Sequence, residues 1–527
     1  MIRDLALFYL IGTVSVIGAG SLAWLVFSRI KTRIPTTGFY VLIAASGYMV
    51  IAHCLKLMTL HAYVDFAHWA QVLHSIVETG KPLSLNQEFY MPGTLNYLSV
   101  HFVPLTYIFA IPLKVFPGNE TIVVLNYLLM LSSVVPLYKL ALIQNERKRF
   151  ALFVTALLIW YPTFQYIVMH EFEIMRFSIP IIFWMLYFWE RRSMIGYYSC
   201  VVLVVLVREQ LGLTIMMFGV YLIVSEKTVK SGLTTALIGL FAFLLITQVI
   251  MPSLSTSASV EVPATRLIKQ VFENPVAHLL AVVDPVKFGN VFLLFLPLLF
   301  VPWLAPVVLI STFANLGGAI VSETLTHSSY MLYYLSPSLP FIFYAFIKGW
   351  PKALSVIRKL RVFRPRYSVE EPAMAAILSG LLVANVFFSP SPLSLQFWTN
   401  SLRPAPFKTQ SFHHSVYRVT EHHRRAREFS ELIPESAIVS APQFLHPLLA
   451  AKRGAMVFPK LEALDGRAST EYVLFDKTNN GLNPVSPAFV TQQEFDIIEK
   501  DMNSWELLKA EDDYYLYKRR SASTGFR

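Results

Sequence analysis

The sequence predicts an α-helical polytopic membrane protein of about twelve membrane segments with a small C-terminal α/β domain. Three observations predict it. Of the 527 residues, 55% are hydrophobic and only 15% are charged, against about 25% charged in soluble domains, so a soluble surface of this size would go uncovered. Apolar runs approaching the roughly 20 residues needed to cross a bilayer recur through positions 1–388. Lys and Arg gather in five gaps, each following an odd-numbered run, as they do in loops sorted to one side of a membrane. This balance excludes an ordinary cytosolic enzyme, a disordered tail protein and a disulfide scaffold. Cys54 and Cys200 lie within apolar runs and read as small buried thiols.

The apolar runs come in order at 5–27, 39–59, 121–143, 151–168, 174–189, 195–207, 211–225, 232–251, 289–302, 304–321, 332–347 and 373–388. Several are short, and broken helices at membrane depth require protein or a water-filled cavity to satisfy their backbone. Basic clusters follow the odd-numbered runs: Arg29–Lys31–Arg33, Arg147–Lys148–Arg149, Arg191–Arg192, Lys227–Lys230, and the stretch 348–366. The positive-inside rule places these loops in the cytoplasm and places the 60–120 loop, the 253–288 loop and the C-terminal region outside a plasma membrane.

The net charge of +11 raises the question of nucleic acid. Positions 389–527 hold 17 Lys and Arg against 16 Asp and Glu, so the excess belongs to the membrane part, which holds 27 basic and 17 acidic residues. Of those 27, 17 lie in the five basic loops. The charge is therefore topological, and the expected partner is the lipid bilayer rather than nucleic acid.

Two outer loops carry structure of their own. Phe66, Trp69, Leu73, Ile76 and Val77 recur at helical spacing with His68, Gln71 and His74 between them, an amphipathic helix suited to lying at the interface. The stretch 101–116 is apolar but interrupted by Pro104 and Pro112, which reads as re-entrant or packed on the outer face. A second amphipathic piece spans 267–283. Beyond Ser389 charges and prolines become frequent. Short strands are expected at 437–440, 472–475 and 514–518 and helices at 422–432 and 491–502, enough for a domain of about 140 residues with its own core. The domains are thus 1–388 and 389–527.

Charged groups beside membrane segments are costly and so mark candidate function. Four sets fall on the outer side: Asp65; His170, Glu171, Glu173 and Arg176; Arg208 and Glu209; and Glu323 with His327. Each also has a plain structural reading, as an interfacial helix end, a solvated turn or a pair between broken helices. The pairs His413–His414 and His422–His423 lack metal-ligand spacing and read as surface groups. Asn119-Glu120-Thr121 fits a glycosylation sequon but abuts a membrane run. No phosphate-binding loop, dinucleotide fingerprint or zinc-protease motif occurs.

The order of several short motifs resembles domain of unknown function 2079 (DUF2079), a family of bacterial and archaeal membrane proteins that looks like a branch of the GT-C glycosyltransferases. Val64-Asp65-Phe66-Ala67-His68-Trp69-Ala70-Gln71 is similar to the family's D-L-G-x-x-D-Q, and His101-Phe102-Val103-Pro104-Leu105 to H-F-S-P-L. Glu171-Phe172-Glu173 through Pro180 stands in the place of D-F-H-P-E…P. Val207-Arg208-Glu209-Gln210-Leu211-Gly212-Leu213 resembles [VK]-[RK]-E-D-x-G-L, and Tyr334-Leu335-Ser336-Pro337 through Pro340 the late Y-S-x-x-x-x-P. The tail fits through 433–440 and 472–476. Ala70, Glu173, Gln210 and Tyr333 depart from the family's usual Asp, His, Asp and His.

The resemblance implies a GT-C-like fold and a reaction in which a sugar passes from a polyprenyl-phosphate donor to an acceptor that the sequence leaves unnamed. Asp65 is then the expected catalytic base. Arg208, with Arg176 as second choice, is the expected partner of the lipid phosphate, since a guanidinium fork matches its oxygens. Glu171, Glu173, Glu209, His101 and Tyr334 complete the expected substrate-binding set. A divalent cation held by the carboxylates is the one candidate cofactor. Two rival readings use the same outer charges: a transporter or lipid-linked flippase, or a non-catalytic receptor or scaffold.

Overall fold

The computed structural model describes residues 2–31, 33–62, 64–257, 263–359, 367–399, 412–463, 468–477 and 492–520. Every expected apolar run falls on helix, but the runs differ in length. Among the described residues, six helical stretches are long and apolar enough to cross a membrane, or up to eight when two bent pairs are each taken as one span. Met194–Val205, Leu211–Ser225 and Val308–Val321 are shorter. The expected count of about twelve is thus not reached by helices of full spanning length. The local reason is legible at Pro162. The preceding Tyr161 is extended (ψ 123°), as a residue before proline must be, and Lys148–Ile159 and Pro162–Met169 meet at 53°.

Burial separates core from lipid-facing helices. Pro162–Met169 is buried along its whole length, and Leu339–Lys359 along most of it. Peripheral Ile2–Phe27 and Val229–Leu245 instead expose Leu10, Leu22 and Phe241, each more than 60% accessible. Such a belt is stable only against hydrocarbon. Leu211–Ser225 and Val229–Leu245 form a close helix pair with glycines at the crossing. A Cβ on Gly219 would lie 2.5 Å from Ala236 N and 2.6 Å from Gly232 O, and one on Gly239 would lie 2.4 Å from Gly212 O. Small residues at such a crossing let backbones touch where no hydrophobic effect drives association.

The basic loops meet one another. Arg149 forks onto Glu371, Arg147 pairs with Glu370, and Lys348 lies 2.8 Å from Glu190. The turns 170–177 and 206–210 lie at the opposite ends of the helices that leave these loops.

The helix Val64–Thr79 corrects one expectation. Its apolar face does not rest on lipid. Phe66, Ala70, Val72 and Leu73 are wholly buried within the main core, and Gln71 reaches Arg453 O at 3.2 Å on the other side. Protein therefore covers it on both flanks. The 267–283 segment is two helices, Pro263–Glu273 and Pro275–Val282, with Asn274 capping the second.

Among the described residues the C-terminal region forms one mixed sheet of five strands: β1 (Ile438–Ala441), β2 (Gly454–Val457), β3 (Tyr472–Asp476), β4 (Trp505–Glu511) and β5 (Tyr514–Arg519), in the order β2-β1-β3-β5-β4. β1 is parallel to β2 and β3, whereas β5 is antiparallel to β3 and β4. β2 and β4 were not expected, being short and largely solvated respectively. The sheet leans on the 64–96 segment: Ala455 N donates to Asn86 Oδ1 at 2.6 Å and Val457 N to Tyr90 Oη at 2.7 Å.

The histidine pair at 422–423 is not a pair of free surface groups. His422 bridges Asp476 (2.9 Å) and Asp512 (3.0 Å) while stacking on Tyr514. His423 is buried and closes a capping box with Thr420. Asn119 donates to Pro447 O at 2.7 Å and faces His74, so its amide is already used.

Candidate active site

The site is assembled from four chain segments distant in sequence. Asp65 occupies the first turn of Val64–Thr79. The start of that helix is capped from afar, because Glu171 Oε2 accepts Phe66 N–H at 3.0 Å and also takes the Asp65 N–H. A carboxylate there satisfies orphan amides and meets the positive end of the helix dipole. One turn on, Trp69 Nε1 donates to Glu173 Oε2 at 3.0 Å. Glu173 itself caps the short helix Ile174–Phe177 through Met175 N–H, 3.3 Å from Oε1.

Arg208 closes the arrangement. It sits in the turn between Met194–Val205 and Leu211–Ser225 and is only 5% accessible. Its Nη1 donates to Glu173 Oε1 at 2.6 Å, and its Nη2 faces the His101 ring, 2.9 Å from Nε2. Its Nε lies 3.8 Å from Glu209 Oε1. Glu209, fully buried, accepts Phe102 N–H at 3.1 Å and lies 3.3 Å from His101 Nδ1. The 60–120 loop, the 170–177 turn and the 206–210 turn are thereby locked together by charge-assisted hydrogen bonds.

Arg176 faces elsewhere. It is wholly buried and gives its fork to Asn126 Oδ1 (3.2 Å), His170 O (3.3 Å) and Glu171 O. It braces the turn that carries Glu171 and Glu173. Glu323 is also outside the network, 3.9 Å from His278 Nε2. Tyr334 packs against Tyr333 in a tilted contact and against His327 edge to face, at centroid separations of 4.3 and 4.6 Å.

The carboxylates differ in character. Asp65 is accessible to water on one side, yet protein crowds it on the others. Poor solvation, reinforced by the Glu173 charge, pushes its pKa up, with Arg208 and His101 opposing. Burial, then Asp65, likewise raises Glu171. Burial also works against ionised Glu209, but the hydrogen bond and charge of His101 with Arg208 outweigh it and hold that carboxyl below its ordinary value. Among the described residues no three His, Cys, Asp or Glu side chains form a metal-holding group. Glu171, Glu173 and Glu209 are already committed to amides, the indole and the guanidinium, so a divalent cation would have to displace those contacts.

A cavity of about 270 Å³ opens beside Arg208. Arg208, Gln210, Thr214, Asn315, His327 and Tyr334 supply its polar wall; Leu213, Leu267, Ile268, Ala314 and Ala319 supply its apolar wall.

Six residues quoted for the site meet directly or through one partner: Asp65, His101, Glu171, Glu173, Arg208 and Glu209. Sequence reasoning gave no role to Trp69, to Asn126 or to the Phe66 and Phe102 amides. Only the tertiary contact assigns them one, since no local spacing marks a backbone N–H as the partner of a distant carboxylate.

Helices of spanning length, short apolar helices ending at a buried charge network, and a small C-terminal sheet define a polytopic membrane protein. The chain belongs to the DUF2079 family of predicted membrane proteins, whose sequence model matches residues 55–516. Its structure is similar to the crystal structure of ArnT from Cupriavidus metallidurans bound to undecaprenyl phosphate, with TM-score 0.55, 14% identity, and coverage of 93% of this chain and 100% of that one. It is more distantly similar to the Archaeoglobus fulgidus oligosaccharyltransferase, with TM-score 0.41, 13% identity, and coverage of 81% of this chain and 67% of that one. No curated protein sequence matches it. At this identity the likeness to ArnT is one of fold alone.

Proposed function

We propose that the protein is a membrane glycosyltransferase that moves a sugar from a polyprenyl-phosphate donor to an acceptor hydroxyl at the outer face of a plasma membrane. One observation carries this reading: Arg208 both anchors the charge network around Asp65 and lines the cavity with the apolar wall. A phosphate with a prenyl tail matches that pairing of a cation with Leu213, Leu267 and Ile268. The binding of undecaprenyl phosphate by ArnT supports the same donor class. The outer placement rests on the Lys and Arg distribution.

In the proposed reaction Asp65 takes the acceptor's hydroxyl proton as its oxygen attacks the anomeric carbon. The bond from that carbon to the phosphate oxygen breaks, and the polyprenyl phosphate leaves with its added charge against Arg208. Glu173, Glu209 and His101 hold Arg208 in place, and Glu171 and Arg176 hold the helix and turn beside it. Tyr334 lines the donor cavity. The 389–527 domain, whose sheet rests on the segment that follows Asp65, is the proposed holder of the acceptor.

The test is transfer of radiolabelled sugar from a polyprenyl-phosphate donor by membranes containing wild-type protein or Asp65→Asn. The reading expects loss of transfer with donor binding and folding retained. Unchanged turnover removes Asp65 as the base, and uptake into proteoliposomes without product removes the transferase reading altogether.

A further inference from the structure

We infer that the basic end of the bundle contains a phosphate site that holds the headgroup of an anionic membrane lipid, independent of the Asp65 network. A cavity of about 880 Å³ lies there between the N-terminal helix, the start of Lys148–Ile159 and the start of Glu370–Phe388. It is lined by five cations, Lys31, Arg33, Arg147, Lys148 and Arg149, against two anions, Glu370 and Glu371. The two carboxylates are used up locally, Glu370 on Arg147 and Glu371 on both arms of Arg149. Lys31, Arg33 and Lys148 have no ion-pair partner among the described residues.

The arrangement is built rather than incidental. Glu371 Oε2 also accepts Ile34 N–H at 3.2 Å, and Arg149 Nη2 donates to Ile34 O at 2.6 Å. The loop bearing Lys31 and Arg33 is thereby pinned beside Lys148. Arg149 Nε is buried without a hydrogen-bond partner among the described residues, a donor that an oxygen-rich anion satisfies. Phe27, Ile30, Phe150 and Met374 line the same cavity, which suits the first carbons of an acyl chain. Three uncompensated cations beside an apolar wall fit a phosphodiester on a lipid, because basic pockets between membrane helices are where such headgroups are held.

Native mass spectrometry of the full-length protein in detergent, loaded from phosphatidylglycerol or phosphatidylcholine vesicles, tests this. Wild type is expected to retain phosphatidylglycerol preferentially. K31Q/R33Q/K148Q is expected to lose that preference by about fivefold per charge removed. R191Q/R192Q/K227Q, which removes the same charge from other basic loops, is expected to keep it. Should the triple variant aggregate, the single variant K148Q is read instead, with about a fivefold loss expected. Equal retention by wild type and the pocket variants overturns the site. Protection of wild type but not of the pocket variant by inorganic phosphate, without preference among lipids, keeps the phosphate site but overturns the lipid as its source.

Discussion

Glu171 caps the helix that carries Asp65: its Oε2 accepts Phe66 N–H at 3.0 Å across a sequence separation of 105 residues. The turn after Pro162–Met169 thus fixes where the candidate base points, and a change there reaches Asp65 without touching substrate.

Glu171→Ala is expected to lower unfolding stability by about 1–2 kcal/mol, the usual cost of a lost helix cap, and to reduce sugar transfer. Glu171→Gln keeps an accepting oxygen and is expected to lose less of both. Thermal unfolding in detergent and transfer assays on the two variants check the order.

Removing Arg208 leaves Glu173 and Glu209 buried without their cation. Arg208→Ala is expected to destabilise the protein by about 3–5 kcal/mol, as for other broken buried pairs. Arg208→Lys keeps the charge but not the fork that reaches Glu173 and His101 together. Its transfer rate is expected to fall by about 100-fold while the fold persists, which circular dichroism and single-turnover transfer can separate.

The Asp65 carboxyl titrates above its ordinary value of about 3.9 because the protein crowding its inner side and then Glu173 disfavour its charge. As a base it works only when ionised. The kcat/KM profile is therefore expected to fall on acidification from an inflection clearly above pH 4, and to lose that limb if Asp65 is not the base. The folded state also binds this proton more tightly than the unfolded chain, so stability from this group declines as pH rises through the raised pKa. Asp65→Asn is expected to melt higher than wild type at neutral pH, with the gap closing in acid.

His422 titrates in the opposite setting. Burial alone would lower it, but Asp476 and then Asp512 outweigh that and raise its pKa. Its stabilisation is complete below the ordinary histidine value of about 6.5 and is lost as pH rises through the raised one. Hydrogen exchange in Glu421–Glu431 is expected to slow at acidic pH and to become less pH-dependent in His422→Gln.

Gly219→Leu is expected to cost about 1–3 kcal/mol by overpacking, since its Cβ has only 2.5 Å to Ala236 N. Size-exclusion profile and melting temperature report it. A substitution at Gly18, which meets nothing within 4 Å, serves as the neutral control.

The sequence by itself determined the membrane class, the position of each apolar helix, the acidic and basic turns, and the strands β1, β3 and β5, because composition and periodicity are local properties that neighbours in space seldom reverse. It did not determine how many helices reach full spanning length: Tyr161–Pro162 looks like continuous apolar sequence until the bend places Pro162–Met169 off axis. It misread Val64–Thr79 as an interfacial helix, because an amphipathic face looks the same whether lipid or protein covers it. Above all, it expected Asp65, His101, Glu173 and Arg208 to face one polar cavity on the outer side, but named no contact among them. Only the tertiary structure joined them, because the 2.6 Å contact between Glu173 and Arg208 depends on where two turns 35 residues apart meet after the intervening helices have packed.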